Sequence, residues 1–62
     1  MMTEEEIRKY DLLVDEEIAT KEEINLVRCV LAGSWDYILE AICYARTGYS
    51  IDGYLAEYEL DE

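Results

Sequence analysis

A repeated pattern of helix-starting residues constrains the fold of this chain more than any other feature of its sequence. Thr3 is followed three residues later by Glu6, and Thr20 is followed three residues later by Glu23. This spacing is typical of a capping box, in which the threonine hydroxyl and the glutamate carboxylate accept hydrogen bonds from backbone N–H groups at a helix start. The pattern therefore predicts a helix just after each threonine.

Apolar residues recur every three or four positions behind both caps, as they do on the buried face of a helix. They predict a first helix over about residues 4–15 and a second over about residues 21–32, with Gly33 as the left-handed residue that ends the second. Ser34 and Ser50 can each cap one further helix.

The sequence as a whole predicts an all-α fold. The 62-residue chain has no proline, and no stretch alternates apolar and polar residues as a strand does. We expect a single domain over residues 1–62, a small bundle of three main helices and a short C-terminal helix, over about residues 4–15, 21–32, 35–46 and 51–58. Residues 59–62 are expected to form a frayed acidic tail.

The third predicted helix is apolar around most of its circumference. At 100° per residue, Asp36, Glu40 and Thr47 fall in one narrow arc, which we interpret as a solvated face, and about 260° is apolar apart from Arg46. The helix is then either a core helix covered by its neighbours or a helix that also joins two copies of the chain. Four residues are expected at or near such a homodimer contact: Trp35, Tyr37, Ile38 and Tyr44.

The charge is strongly negative and concentrated at both ends. The net charge is −11, with nine acids against three bases in residues 1–23 and five acids without a base in residues 50–62. Such a field repels nucleic acid and anionic membranes and attracts basic protein surfaces. Eight carboxylates are expected to bind such a partner: Glu4, Glu5, Asp11, Asp15, Glu16, Glu57, Glu59 and Asp61. The alternative is that the acids serve only to keep the protein in solution.

Residues that carry chemistry are scarce. The chain has no histidine, so the usual base for nucleophilic catalysis is missing. Cys29 and Cys43 lie at unequal distances from the Gly33 turn, which favours two buried free thiols over a disulfide. No metal-ligand spacing or phosphate-binding loop is present. We therefore expect no enzyme activity, no catalytic residue, no cofactor and no metal.

The sequence also indicates where in the cell the protein is expected. No stretch reaches the 18 or more apolar residues that a membrane helix needs. Glu4, Glu5 and Glu6 are the opposite of the basic start of a signal peptide. We expect a cytoplasmic protein without membrane contact.

Two segments, Ile18-Ala-Thr-Lys-Glu-Glu-Ile24 and Tyr44-Ala-Arg-Thr-Gly-Tyr49, resemble segments of small acidic accessory proteins of phages and prophages. The resemblance covers about half of the chain and implies a bacterial host cytosol. It also implies an inhibitor that binds a nucleic-acid-handling host protein by imitating the charge of DNA. The other hypothesis is a structural or assembly protein that homo-oligomerises through residues 35–46.

Overall fold

The computed structural model describes residues 1–58, and within that range the chain forms four helices and no strand. They are α1 (Glu4–Asp15), α2 (Lys21–Val30), α3 (Trp35–Thr47) and α4 (Ile51–Tyr58). The all-helical prediction is confirmed. The predicted tail at residues 59–62 lies outside the described residues.

Local capping chemistry starts each helix at its predicted position. The Thr3 hydroxyl accepts the N–H of Glu6 at 3.2 Å, and the Glu6 carboxylate accepts the N–H of Thr3 at 2.9 Å. The second capping box, at Thr20, has the same two bonds at 3.1 and 2.9 Å. The hydroxyls of Ser34 and Ser50 each accept one backbone N–H in the first turn of the next helix at 3.2 Å.

The end of α2 differs from the prediction. The helix stops at Val30, and Leu31 is already extended, with φ −99° and ψ 117°. Gly33 has φ +152°, which is far from the left-handed helical value near +57° that a C′ glycine adopts. A Cβ on Gly33 would lie 3.2 Å from the Tyr37 ring. Glycine therefore suits this position because other residues rarely adopt this φ and because the Tyr37 ring lies close, and not because it caps α2.

The end of α1 uses a left-handed residue that is not glycine. Glu17 has φ +58°. Its N–H donates to the carbonyl of Val14 at 3.1 Å, and the N–H of Ile18 donates to the carbonyl of Leu13 at 2.9 Å. These are the two bonds of a Schellman motif, and Ile18 and Leu13 are both buried. The turn at the end of α1 thus places the next residue, Ile18, in the core.

Helix α3 is the centre of the fold, since α1, α2 and α4 all pack against it. The buried core consists entirely of apolar and cysteine side chains: Leu13, Ile18, Ala19, Ile24, Ile38, Leu39, Ile42, Cys43 and Ile51. Its three neighbours nevertheless leave part of α3 uncovered. Tyr37 and Tyr44 are exposed, and with Ala41 and Ala45 they occupy a sector of about 100°.

Candidate functional site

The polar arc of α3 lies beside α1. Its interpretation as a solvated face holds for Asp36, whose side chain is 53% exposed, but not for Glu40, whose side chain is 30% exposed. The Lys9 ammonium group donates hydrogen bonds to both Asp36 and Glu40, the latter at 3.0 Å. Only 13% of the Lys9 side chain is exposed. These hydrogen bonds, led by the one to Asp36, raise the pKa of Lys9 well above its usual range in spite of partial burial. The arc therefore joins two helices.

Glu40 also fixes α4. Its second carboxylate oxygen accepts the backbone N–H of Ile51 at 2.9 Å, which is one of the N–H groups that have no partner inside a helix. One side chain of α3 thus connects α1, through Lys9, with the start of α4. This arrangement gives Glu40 a structural role.

Most of the chain's other cations are also engaged within the fold. Arg46 donates to the Glu23 carboxylate at 2.8 Å and to the Ile18 carbonyl at 3.2 Å. The guanidinium of Arg28 lies 4.7 Å from the centre of the Trp35 ring. Arg8 pairs with Glu5 on α1. With Lys9, four of the five bases have partners in their own chain.

The acids predicted to bind a partner have different surroundings. Glu4, Asp11 and Asp15 are exposed, and their spacing of seven and four residues puts them along one side of α1. Glu5 pairs with Arg8.

Two of the remaining predicted acids lie on or beside α4. A Glu16 oxygen is 3.5 Å from the hydroxyl of Tyr54, and Glu57 is exposed on α4. The structure therefore does not gather the described acids into one cluster. Glu59 and Asp61 lie outside the described residues.

The four residues predicted for self-association divide into two groups. Tyr37 and Tyr44 are 59% and 65% exposed. Ile38 is fully buried, so its assignment to a contact between copies was wrong, because it points into the core where α3 meets its neighbours. Trp35 is half-buried, with its ring edge-on to Tyr10 at 6.0 Å and Arg28 over its face.

The uncovered side of α3 continues onto α2. A groove of about 280 Å³ runs between the two helices, and its apolar lining comes from Ala19, Val27, Leu31, Ala41, Ile42 and Ala45. Two side chains of α2 that were not predicted to be exposed, Leu26 and Val30, are 65% and 74% exposed. Their spacing of four residues, away from buried Ile24, was the available signal.

A second surface missed by the sequence analysis consists of three tyrosines around α4. The Tyr54 and Tyr58 ring centres are 4.6 Å apart, and Tyr49 meets Tyr58 edge-on at 6.3 Å. Partial burial and the nearby Glu16 carboxylate raise the pKa of Tyr54. The four-residue spacing of Tyr54 and Tyr58 placed these two rings together. We call this group the tyrosine cluster.

The cysteines differ in exposure. Both are free thiols, but Cys29 is exposed and only Cys43 is buried, so the prediction of two buried thiols was wrong for Cys29. It lies on the side of α2 that no other helix covers. Burial raises the pKa of the Cys43 thiol. Within residues 1–58 no cluster of His, Cys, Asp or Glu is suited to hold a metal ion.

Comparisons with protein-family models, curated proteins and solved structures found no match to this chain. Each helix within residues 1–58 is too short or too polar to cross a lipid bilayer. The geometry of the exposed surfaces is therefore the basis for any statement about function.

Proposed function

We propose that this protein is a small acidic protein-binding module that engages a basic surface of a protein partner. One observation carries the proposal: four of the five bases are engaged by groups of their own chain. The exposed acids of α1, Glu4, Asp11 and Asp15, form no ion pair among the described residues. The charges of these three acids are thus presented outward.

This arrangement suits recognition by many weak contacts. An exposed ion pair contributes only about 0.2–1 kcal/mol, so no single carboxylate can hold a partner. A field of one sign increases the rate of encounter with an oppositely charged surface, and several such contacts together supply the affinity. We propose a nucleic-acid-handling protein as the partner, since its basic surface evolved to contact phosphates, which these carboxylates replace.

The biological setting we propose is that of a phage-type inhibitor in a bacterial cytosol. This rests on the two segments that resemble phage accessory proteins and on the charge arrangement. An inhibitor of this kind needs no chemistry of its own. It needs only to occupy the basic surface more tightly than the nucleic acid does.

The test is a calorimetric titration of the full chain with a basic peptide that mixes lysine and arginine. One variant neutralises the exposed side of α1: Glu4→Gln, Asp11→Asn and Asp15→Asn. A control variant removes the same charge from scattered positions: Glu17→Gln, Glu22→Gln and Asp52→Asn. We expect the α1 variant to bind several-fold more weakly than the control. Equal affinities would overturn the assignment of α1, and no binding by the unsubstituted chain would overturn the proposal.

The exposed groove supports a second candidate, a structural protein that assembles from identical copies. The two helices that form the groove also carry four large side chains that are each more than half exposed: Leu26 and Val30 on α2, and Tyr37 and Tyr44 on α3. Tyrosine is enriched in protein contacts, and a two-fold contact would bury this patch in both copies. The neutral charge of residues 24–49, with two acids and two bases, keeps repulsion between copies low on this side.

Sedimentation equilibrium at tens of micromolar protein tests this candidate. A dimer that Tyr44→Glu dissociates, while Ile7→Glu on α1, outside the groove, does not, would support it. Ile7 is an exposed apolar residue of α1 and so serves as the matched control. A single species at the 7.3 kDa chain mass would exclude it.

A further inference from the structure

The tyrosine cluster combines exposed aromatic surface with a nearby negative charge. Tyr58 is 56% exposed although its ring contacts both Tyr54 and Tyr49. The hydroxyl of Tyr54 lies 3.5 Å from a Glu16 carboxylate oxygen. Tyr54, whose ring lies against that of Tyr58, therefore brings a carboxylate to the edge of the cluster at the junction of α1 and α4.

The chain supplies no cation to this surface from its own C-terminal part. Residues 47–62 contain five acids and neither lysine nor arginine. Elsewhere the fold does pair a ring with a guanidinium, since Arg28 lies over Trp35. Among the described residues the tyrosine cluster has no such contact. The surface thus offers aromatic rings to which a cation can bind, and its negative charge attracts a basic group.

We infer that the tyrosine cluster binds an arginine side chain of the basic partner, with the guanidinium stacked on Tyr58 and hydrogen-bonded to Glu16. This rests on the proposed function and names the residue type that the partner presents. A planar guanidinium can stack on an aromatic face and donate to a carboxylate in the same plane. An ammonium group is a more strongly hydrated point charge and gains less from the ring.

The packing of α4 alone does not account for the cluster. Ile51 is buried, and Tyr54 and Leu55 pack against the core, so these three residues form the side of α4 that faces the core, and Tyr58 is not one of them. Tyr58 adds exposed ring surface at the end of the helix. A leucine there would maintain the small contact with Tyr54 and remove the aromatic face.

The test compares two peptides of equal length and charge, one with arginines and one with lysines separated by glycines. We expect the full chain to bind the arginine peptide about 2- to 5-fold more tightly, as an exposed cation–ring contact implies. Tyr58→Leu should abolish this preference and Tyr58→Phe should retain it. Tyr44→Leu, at an exposed tyrosine remote from α4, serves as the control and should also retain it.

Ring-proton resonances of Tyr58 give a second measurement and should shift with the arginine peptide more than with the lysine peptide. If both peptides bind equally, or the preference survives Tyr58→Leu, the arginine site is overturned and the proposed function stands. If neither peptide binds, the proposed function fails and the arginine site fails with it.

Discussion

Glu17 is the residue whose backbone conformation is least suited to its side chain. It occupies the left-handed region at φ +58°, where a residue with a Cβ is less stable than glycine by roughly 1–2 kcal/mol. The position is fixed by the two hydrogen bonds that end α1 and by the burial of Ile18 immediately after it. The chain therefore retains a strained residue to direct Ile18 into the core.

Replacing this residue should stabilise the fold. We expect Glu17→Gly to raise the free energy of unfolding by about 1 kcal/mol, because glycine adopts the left-handed region without strain. Glu17→Ala is the control, since it removes the same carboxylate but keeps a Cβ. Urea unfolding measures both variants, and equal stability of the glycine and alanine variants would contradict the interpretation.

At the scale of helices, the first residue of each helix was predicted correctly from the sequence. The end of α2 and the contacts between helices were not. Thr3, Thr20 and Ser34 act on backbone groups three residues away, so their effect is visible in a short segment. The contact of Lys9 with Asp36 and Glu40 joins residues 27 and 31 positions apart, and no local pattern encodes it. The same holds for the exposed α2–α3 groove and for the contact of Tyr54 with Glu16, since both depend on how helices pack.

The link between α3 and α4 gives a prediction about Glu40. Glu40→Ala leaves the N–H of buried Ile51 without its acceptor, and we expect a loss of about 1–2 kcal/mol in unfolding free energy. Glu40→Gln retains an acceptor oxygen and should lose less. Urea unfolding, with near-ultraviolet circular dichroism of the tyrosines as the probe, measures both. If the alanine and glutamine variants are equally stable, the carboxylate does not hold the start of α4.

The link between α2 and α3 gives a prediction about pH. Hydrogen bonds from the N–H of Thr20 and from Arg46 lower the pKa of Glu23 below its ordinary value of 4.5. A lowered folded-state pKa adds stability above pH 4.5 that is lost as the pH falls through the folded-state value. Glu23→Gln should therefore be less stable than the unsubstituted chain at neutral pH. In thermal melts the difference in stability between the two should disappear as the pH falls below the folded-state pKa of Glu23, and a difference that does not depend on pH would contradict the ion pair.

For the whole molecule, the positive and negative charges have different surroundings. Four of the five bases contact groups of their own chain, and the acids behind the net charge of −11 are concentrated toward both ends of the sequence. Mutual repulsion of these acids opposes the compact state, and salt screens it. We expect moderate salt to raise the melting temperature by several degrees in a thermal melt followed by circular dichroism. A melting temperature that stays constant or falls would mean that attractive pairs outweigh the repulsion.

The central claim is that exposed carboxylates bind a basic partner, and the salt dependence of that binding tests it most directly. The association constant of the full chain with the basic peptide should be measured by titration from about 0.05 to about 0.5 M salt, where screening shortens the range of exposed charges from above 10 Å to a few ångströms. The charge arrangement predicts a steep and continuous fall of the constant over this range. A constant that does not change with salt would contradict it and would favour association through the apolar α2–α3 groove.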